Sequence, residues 1–509
     1  MKLKSSSSVI FLLLCTLFIS TFCFTSTNIT ELYVISELGG STNLATYTIS
    51  FFAIGSLSIL PFTTYMIRSM GIKKSILFCL ASFFLSNLLS IFCTNEYQAL
   101  ILRFIQGASA GPLFPLSICC INFYQEPDKK IRNSIFVVLI TIMTPPLGSA
   151  VGGWLSYNYH WEYVFTIPCF LTLTLFIFLY ELIQEEIPIP KCSFNGFGFV
   201  LYFISCVCIL SGITVGQFLD WDRSNLVMFL LIFGGLTLVM FCLWNIRQEN
   251  PIINLKLFKS YNFALSTLCF GIIFCNYIGT VLLLANWLNI DVTYTPDWIG
   301  LLTLHMVFPA ILIFIFKNQF IKLNPKKTIL VAVLLFTASA FFTTTFSEDI
   351  DFRRIALARI TTGFALALIP SAIGRLMSEN SAVEEGYNNV LILQIARNLG
   401  GCLGASVYLQ MFWRRSVFYH DRLGSQLTVF SEQTDFFFMK AKLIGLKGLQ
   451  AQGELDQQLQ LQSSALALDD CFYFMGWVFV SVFIWLVLSI LVEKYFAKKT
   501  NSTQLTITQ

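Results

Sequence analysis

A few charged and polar side chains stand inside long apolar runs of this sequence, and they are the residues that could do chemistry. They are Glu31, Arg103, Gln106, Arg359 and Arg397. A charge in hydrocarbon is costly unless it is paired or hydrated. These side chains should therefore face the interior of a helical bundle or a water-filled cavity, where something polar is handled.

Glu31 is the only carboxylate well inside an apolar run. Glu31 and Arg103 lie at similar depth, in the outer half of the first and fourth runs. If those runs are neighbours, the two side chains can form an ion pair, and protonation of Glu31 would compete with it. Two alternatives stay open: Glu31 extends to the outer interface, or backbone carbonyls hold Arg103 in a structural role.

Two further residues could exchange protons or attract solutes. His305 is the only one of the 3 histidines inside an apolar run, and a histidine can exchange a proton near neutral pH. It is a candidate coupling residue or a hydrogen-bonded core residue. Arg397 lies halfway through a later run, where it needs a partner or water. It either attracts anionic solutes or fixes a contact between helices.

One run combines glycines with prolines: Pro145, Pro146, Gly148, Gly152 and Gly153. Glycines four residues apart let helix backbones approach closely, and prolines free carbonyls and bend a helix. The pattern fits either a moving interface or a static packing kink.

Enzyme chemistry has no support in this sequence. No phosphate-binding loop, nucleophile elbow or metal-ligand spacing appears. The 15 cysteines lie mostly singly in apolar runs, which predicts neither a metal site nor a disulfide framework. We expect no cofactor.

The elements that position these residues must be membrane helices. With 509 residues, 56% hydrophobic and 12% charged, the composition excludes an ordinary soluble protein. The net charge of +4 is small and indicates no nucleic-acid partner. The apolar N-terminus lacks a clear cleavage site, so we expect a retained first span.

Fourteen apolar runs of membrane length are separated by polar segments. They lie near 8–36, 43–67, 75–93, 98–123, 134–156, 162–183, 196–217, 226–245, 263–288, 298–316, 328–346, 354–377, 388–412 and 471–492. We predict an all-α polytopic membrane protein with six, two and six spans. The expected units are a six-helix bundle over 1–190, two inserted helices over 191–250 and a second six-helix bundle over 251–509.

The distribution of basic residues predicts the orientation. An even number of spans puts both termini on one side, and most of the 32 Lys and Arg lie on that side, which predicts cytoplasmic termini. The long loop 413–470 then faces outward. Its Gln-rich middle could form an amphipathic helix, and the loop is either a tolerated excursion or a docking site for a partner.

A weak internal repeat relates the two outer sets of six spans. Two short patterns recur at nearly constant separation: Arg103-x-x-x-Gly107 as Arg359-x-x-x-Gly363, and Gly148-x-x-x-Gly152 as Gly400-x-x-x-Gly404. Related halves are a usual transporter construction, with the solute site between them.

At these residues the chain resembles the major facilitator superfamily, and within it the fourteen-span drug:proton antiporters of EmrB/QacA type. The likeness covers essentially the whole chain. The family pattern R-x-x-Q-G appears as Arg103, Gln106 and Gly107, and the H-W after span five appears as His160 and Trp161. The resemblance implies the major facilitator fold, and it implicates Arg103 in proton coupling.

The family's loop signature between spans two and three, G-x-x-x-D-R-x-G-R-K, is altered here. The chain keeps Gly71, Lys73 and Lys74 but has Arg68 where an aspartate is usual. By resemblance these four residues would act in gating. The span-five pattern G-P-x-x-G-G is kept in its glycines, with Ser149 in place of the family's proline.

Span one departs further from the family. Its usual aspartate is replaced by Cys23, whereas the following asparagine is kept as Asn28. Proton coupling by the family's usual carboxylate is therefore excluded at that position. Either Glu31 or His305 has taken over proton exchange, or the protein moves its solute without the usual coupling.

The sequence and the resemblance together predict a proton-coupled exporter of amphipathic drugs or toxic organic compounds, working by alternating access. The alternatives are a metabolite importer or symporter on the same fold, and a non-transporting receptor or scaffold that uses the segment 413–470. The resemblance also implies a bacterial inner membrane and a periplasmic adaptor protein as a partner of that segment.

Overall fold

The computed structural model of the chain is a helical bundle of membrane dimensions. It describes residues 2–40, 42–126, 129–183, 195–216, 218–248, 251–316, 319, 323–347, 349–378, 386–428 and 431–507. In these ranges 13 helices are long and apolar enough to cross a membrane, and Tyr47–Ile59 is a shorter apolar helix. The chain is thus an integral membrane protein, and the count agrees with the fourteen expected spans.

Helices form here because, in hydrocarbon, each backbone N–H and C=O must find its partner within its own segment. The described helices are, in chain order, α1 (Lys2–Thr27), α2 (Glu31–Glu37), α3 (Thr42–Ile59), α4 (Phe62–Ile91), α5 (Glu96–Tyr124), α6 (Lys130–Asn158), α7 (Tyr163–Leu182), α8 (Gly196–Gly216), α9 (Asn225–Arg247), α10 (Tyr261–Ile290), α11 (Pro296–Leu304), α12 (Val307–Ile315), α13 (Pro325–Thr343), α14 (Phe352–Ser378), α15 (Gly386–Gly424), α16 (Glu432–Leu443) and α17 (Leu449–Ile507).

Three of the expected spans are broken, and the second span, expected over 43–67, is interrupted at Leu60 and Pro61 between α3 and α4. The first span stops at Thr27, and α2 begins at Glu31. Hydroxyl groups of Thr25, Thr27 and Thr30 donate to carbonyls three or four residues earlier, a bonding pattern that bends helices. The tenth span breaks between α11 and α12, where Pro309 has no N–H to offer the carbonyl of His305.

The expected loop between spans two and three is a kink within α4. Gly71 adopts φ 82° and ψ 163°, which are not helical angles, and a residue without Cβ reaches this left-handed φ at no steric cost. The chain therefore passes from the second span to the third with only one strongly bent residue.

The internal repeat of the sequence corresponds to a repeated contact. In the first half, α6 packs on α1 so closely that a Cβ at Gly148 or Gly152 would overlap Thr25 or Ser26. In the second half, α15 packs on α10, and a Cβ at Gly400 or Gly404 would overlap the Gly271 or Cys275 backbone. Both halves thus use paired glycines to join corresponding helices, α1 with α6 in the first half and α10 with α15 in the second.

The segment expected as a long outer loop is mostly helical in its described part. The helix α15 continues to Gly424, α16 follows, and α17 begins at Leu449 and continues into the last span. Leu, Gln, Ala and Glu are strong helix formers, which explains why this Gln-rich stretch is not irregular. Asp470 joins the two long helices, accepting from Arg415 Nε at 2.6 Å and Tyr419 at 2.9 Å.

The inserted pair α8 and α9 pack on each other, and α8 also contacts α3 and α15. The Tyr202 hydroxyl donates to the Leu57 carbonyl at 3.2 Å, and Gln410 donates to the Ile213 carbonyl at 2.6 Å. The expected boundaries of this pair, 190/191 and 250/251, involve residues outside the described ranges. The division into six, two and six stays a prediction.

The paired glycines give a direct test of the packing. Gly152→Ala should lower stability by about 1–3 kcal/mol, because the added methyl group would overlap the Ser26 carbonyl. The matched control is Gly235→Ala on α9, where no atom lies within 4 Å of such a methyl group. Thermal unfolding of the purified variants by size-exclusion measures both effects, and equal stability would contradict the packing described here.

Candidate functional site

A buried ion pair joins the first and fourth spans. Arg103 Nη2 on α5 lies 3.0 Å from Glu31 Oε1 at the start of α2. The exposed fractions of Glu31 and Arg103 are 4% and 2%. The break after Thr27 makes Glu31 the first residue of a new helix, and the Asn95 cap, which accepts from the Tyr97 N–H at 2.9 Å, sets where α5 begins.

The ion pair is held by hydroxyl groups and an aromatic ring. Arg103 Nη2 also donates to the Thr27 hydroxyl, and Thr48 hydrogen-bonds Glu31. The guanidinium lies 5.1 Å from the centre of the Phe52 ring, a favourable arrangement for a desolvated cation. The ion pair that the sequence allowed is therefore formed.

A polar network extends the ion pair into α4. Arg103 Nη1 donates to Gln106 Oε1 at 3.0 Å, and Gln106 Nε2 donates to Ser90 Oγ at 2.9 Å and lies 3.5 Å from Asn87 Oδ1. Cys23, at the position of the family's usual acid, donates its thiol to the same Asn87 oxygen at 3.3 Å. All five side chains are buried, so the network is a fixed unit of α1, α4 and α5.

This arrangement has two electrostatic states. With Glu31 ionised, the pair is nearly neutral as a whole and its charges compensate each other. With Glu31 protonated, Arg103 carries a buried charge that has lost its partner, a state that costs several kcal/mol unless something else compensates it.

A cavity lies between the two halves beside this network. Five aromatic side chains line it: Phe24, Phe52, Phe114, Phe274 and Tyr277. Polar side chains complete its lining, including Asn28, Thr25, Ser56, Gln394 and Asn398. Phe52 lines the cavity, and its ring also contacts Arg103. The Phe52 side chain therefore separates the cavity from the ion pair.

Arg397 is the one charged side chain in the described lining of this cavity. It projects from α15 over the Phe114 ring of the first half, 4.8 Å from its centre. The next residue, Asn398, donates to Ser56 Oγ on α3 at 2.7 Å. Arg397 forms no ion pair with the described residues, so its positive charge is available to the cavity.

His305 is not part of this site. It lies between α11 and α12, with Nδ1 3.0 Å from the Leu301 carbonyl oxygen and its ring 5.8 Å from that of Phe352. It is not among the cavity-lining residues. The structure thus brings Glu31, Arg103 and Gln106 together and leaves His305 apart.

The glycines and prolines of α6 touch both halves. Pro145 lines the cavity, and the Pro146 carbonyl accepts from the Thr303 hydroxyl of α11 at 3.2 Å. A Cβ at Gly153 would overlap the Pro296 carbonyl. Because α6 also packs on α1, it connects the ion-pair side of the bundle with the opposite half.

The residues expected to act in gating surround the kink in α4. Gly71 is the kink itself, and Lys73 Nζ lies 5.3 Å from the centre of the Tyr180 ring on α7. Lys74 is exposed and Arg68 is half-buried. These residues do not line the cavity and do not contact the ion pair. Their gating role stays a prediction.

The repeat partner of Arg103 has a different environment. Arg359 on α14 is 2% exposed, and its Nε and Nη2 atoms have no hydrogen-bond partner in the described structure.

The sequence did not identify four residues that contact the ion pair or its network: Thr27, Asn87, Ser90 and Phe52. Only Asn87, an amide inside an apolar run, gave a recognisable signal.

The chain is similar to known transport proteins over most of its length. A family model described as Major Facilitator Superfamily matches residues 12–191. The chain is 24% identical over 457 residues to the Multidrug export protein EmrB of Haemophilus influenzae, covering 89% of this chain and 90% of that protein.

Two further similarities agree with this. The chain is 26% identical over 418 residues to the Fatty acid resistance protein FarB of Neisseria gonorrhoeae, covering 80% of this chain and 81% of that protein. Among solved structures, one described for substrate recognition in proton-dependent oligopeptide transporters matches with a TM-score of 0.61 at 11% identity. That match covers 96% of this chain and 100% of the other, and it shows a shared fold.

Proposed function

We propose that this chain, which belongs to the major facilitator superfamily, is a drug:proton antiporter of EmrB type that exports amphipathic organic compounds. It is a transporter and not an enzyme, since its relatives are transporters. Import of a metabolite and a non-transporting scaffold role are less well supported, because the similar proteins are named for export and resistance.

The observation that carries the coupling proposal is the buried pair of Glu31 and Arg103 beside the cavity. We assign proton exchange to Glu31, with Arg103 as its partner and Gln106 as the residue that positions Arg103. Asp or Glu side chains within membrane spans commonly act as proton relays. We do not assign this role to His305, because it contacts neither the ion pair nor the cavity.

The cavity supports cargo that is partly apolar and partly polar. Its aromatic side chains offer contact to apolar or flat molecules without fixing one shape. Arg397 and the neighbouring amides of Gln394 and Asn398 offer a charge and hydrogen bonds to the polar end. In this arrangement Arg397 attracts a negatively charged or electron-rich group of the cargo.

Transport would proceed by rocking of the two six-helix units about the cavity. The contacts of Pro146 and Gly153 with α11 lie at the interface that has to open or close. When a proton on Glu31 removes the ion pair, α2 and α5 lose a direct connection. The freed helices can then favour the other orientation of the halves, so proton binding and cargo binding alternate.

By the excess of basic residues at the terminal side, we place both termini in the cytoplasm. By the similarity to EmrB, we place the protein in a bacterial inner membrane. The helical segment formed by α15, α16 and α17 then projects outward. Three large apolar side chains near its tip, Leu443, Ile444 and Leu449, are strongly exposed. We assign this tip to contact with a periplasmic adaptor protein.

The coupling assignment is tested by flux in vesicles with an imposed pH gradient. Glu31→Gln should reduce gradient-driven export of a fluorescent amphipathic dye to the level seen without a gradient, because an amide cannot carry the proton. His305→Ala is the control and should keep gradient-driven export. Loss of coupling in His305→Ala with coupling intact in Glu31→Gln would reverse the assignment.

The tip assignment is tested by replacing Leu443, Ile444 and Leu449 with serine. Flux into vesicles should be unchanged, whereas resistance of intact cells to the same dye should fall, since only cells contain an outer partner. Unchanged resistance would contradict the adaptor role. Labelling of a cysteine placed at Leu446 by a membrane-impermeant reagent checks the outward orientation, and labelling from the cytoplasmic side alone would contradict it.

A further inference from the structure

Each half contains the arginine of the repeat, Arg103 or Arg359, but among the described residues only Arg103 has a counter-ion. Arg103 and Arg359 each lie two turns into their helix and are each followed four residues later by a glycine packed on a neighbouring helix. In the first half the counter-ion is Glu31, beside the end of α1. The helix α10, whose packing on α15 repeats that of α1 on α6, contains no Asp or Glu between Tyr261 and Ile290. Asp291, which follows it, does not bond the Nε or Nη2 atom of Arg359.

The polar contacts around Arg359 do not replace that carboxylate. Ser339 Oγ and Thr362 Oγ1 lie 2.8 Å apart, in a contact between α13 and α14 that parallels the contact of Asn87 with Gln106. Neither hydroxyl bonds Arg359.

A guanidinium cannot shed its proton in a protein, so Arg359 remains a cation in the folded chain. An uncompensated charge that is 2% exposed is strongly unfavourable in a low-dielectric interior. Water could accept hydrogen bonds from Nε and Nη2, but it would leave the charge uncompensated. We propose that Arg359 binds an anion that does not belong to this chain.

Arg359 does not itself line the cavity, but Tyr277, one of the lining residues, lies within electrostatic range of it. No described carboxylate acts on Arg359 in the same way. The required chemistry is one negative charge with an oxygen or halide acceptor for the guanidinium N–H groups. Its source is either the carboxylate of an exported amphiphile, which rests on the proposed function, or chloride.

Binding is measured on the purified full-length protein in an uncharged detergent, by its thermal unfolding midpoint. Chloride is compared with gluconate, an anion too large for a closed site, at equal ionic strength. Decanoate below its micellar concentration is compared with decyltrimethylammonium, which has the same chain and the opposite charge. We expect a rise of a few degrees with one anion and none with decyltrimethylammonium, and the effective anion identifies the source.

Arg359→Gln should lose this response, whereas Arg353→Gln should keep it. Arg353 lies on the same helix and is exposed, which makes it a matched control for the loss of one positive charge. If Arg359→Gln does not fold, Arg359→Lys should respond only at a several-fold higher anion concentration, because lysine lacks the forked donor. An unchanged concentration dependence in Arg359→Lys would overturn the proposal.

Other results would also overturn it. An anion response that persists in Arg359→Gln, or that disappears in Arg397→Gln alone, would place the anion elsewhere. Absence of any response in the unmodified protein would mean that water suffices. None of these measurements needs transport or a proton gradient, so a failure here is distinguishable from a failure of the export function.

Discussion

The structure depends on one electrostatic constraint: a carboxylate and a guanidinium inside a membrane protein must compensate each other. Glu31 Oε1 and Arg103 Nη2 lie 3.0 Å apart, and the surrounding elements hold the two side chains in place. The break after α1 places Glu31 at a helix start, and Gln106 fixes the guanidinium from its own helix. In the proposed mechanism, a proton on Glu31 removes this compensation and so alters helix packing.

We propose that close helix packing transmits this change. The helix α6 packs against α1 through Gly148 and Gly152 and against α11 through Gly153, so it contacts both the ion-pair side and the opposite half. The cavity lies along the same boundary, and its Phe52 ring also covers Arg103. In the proposed mechanism, cargo that contacts Phe52 and a proton that binds Glu31 act on a common set of contacts.

The sequence predicted the helical class, the number of spans and the possibility of the central ion pair, because these follow from hydropathy and from the depth of Glu31 and Arg103. It did not predict the break after Thr27, where side-chain hydrogen bonds act. It allowed a helix only in the Gln-rich middle of 413–470, whereas the described helices cover most of that segment. The sequence offered Glu31 as a partner for Arg103 and named none for Arg359. Only tertiary packing shows that Arg359 has no ion-pair partner among the described residues.

The central claim is that Glu31 binds and releases a proton within its pair with Arg103. Infrared difference spectra of the purified protein between neutral and acidic pH report it directly, through the carbonyl stretch of a protonated carboxyl group in an apolar environment. We predict that this band is present in the unmodified chain, shifts in Arg103→Lys and is absent in Glu31→Gln. A band that persists unchanged in Glu31→Gln would contradict the account.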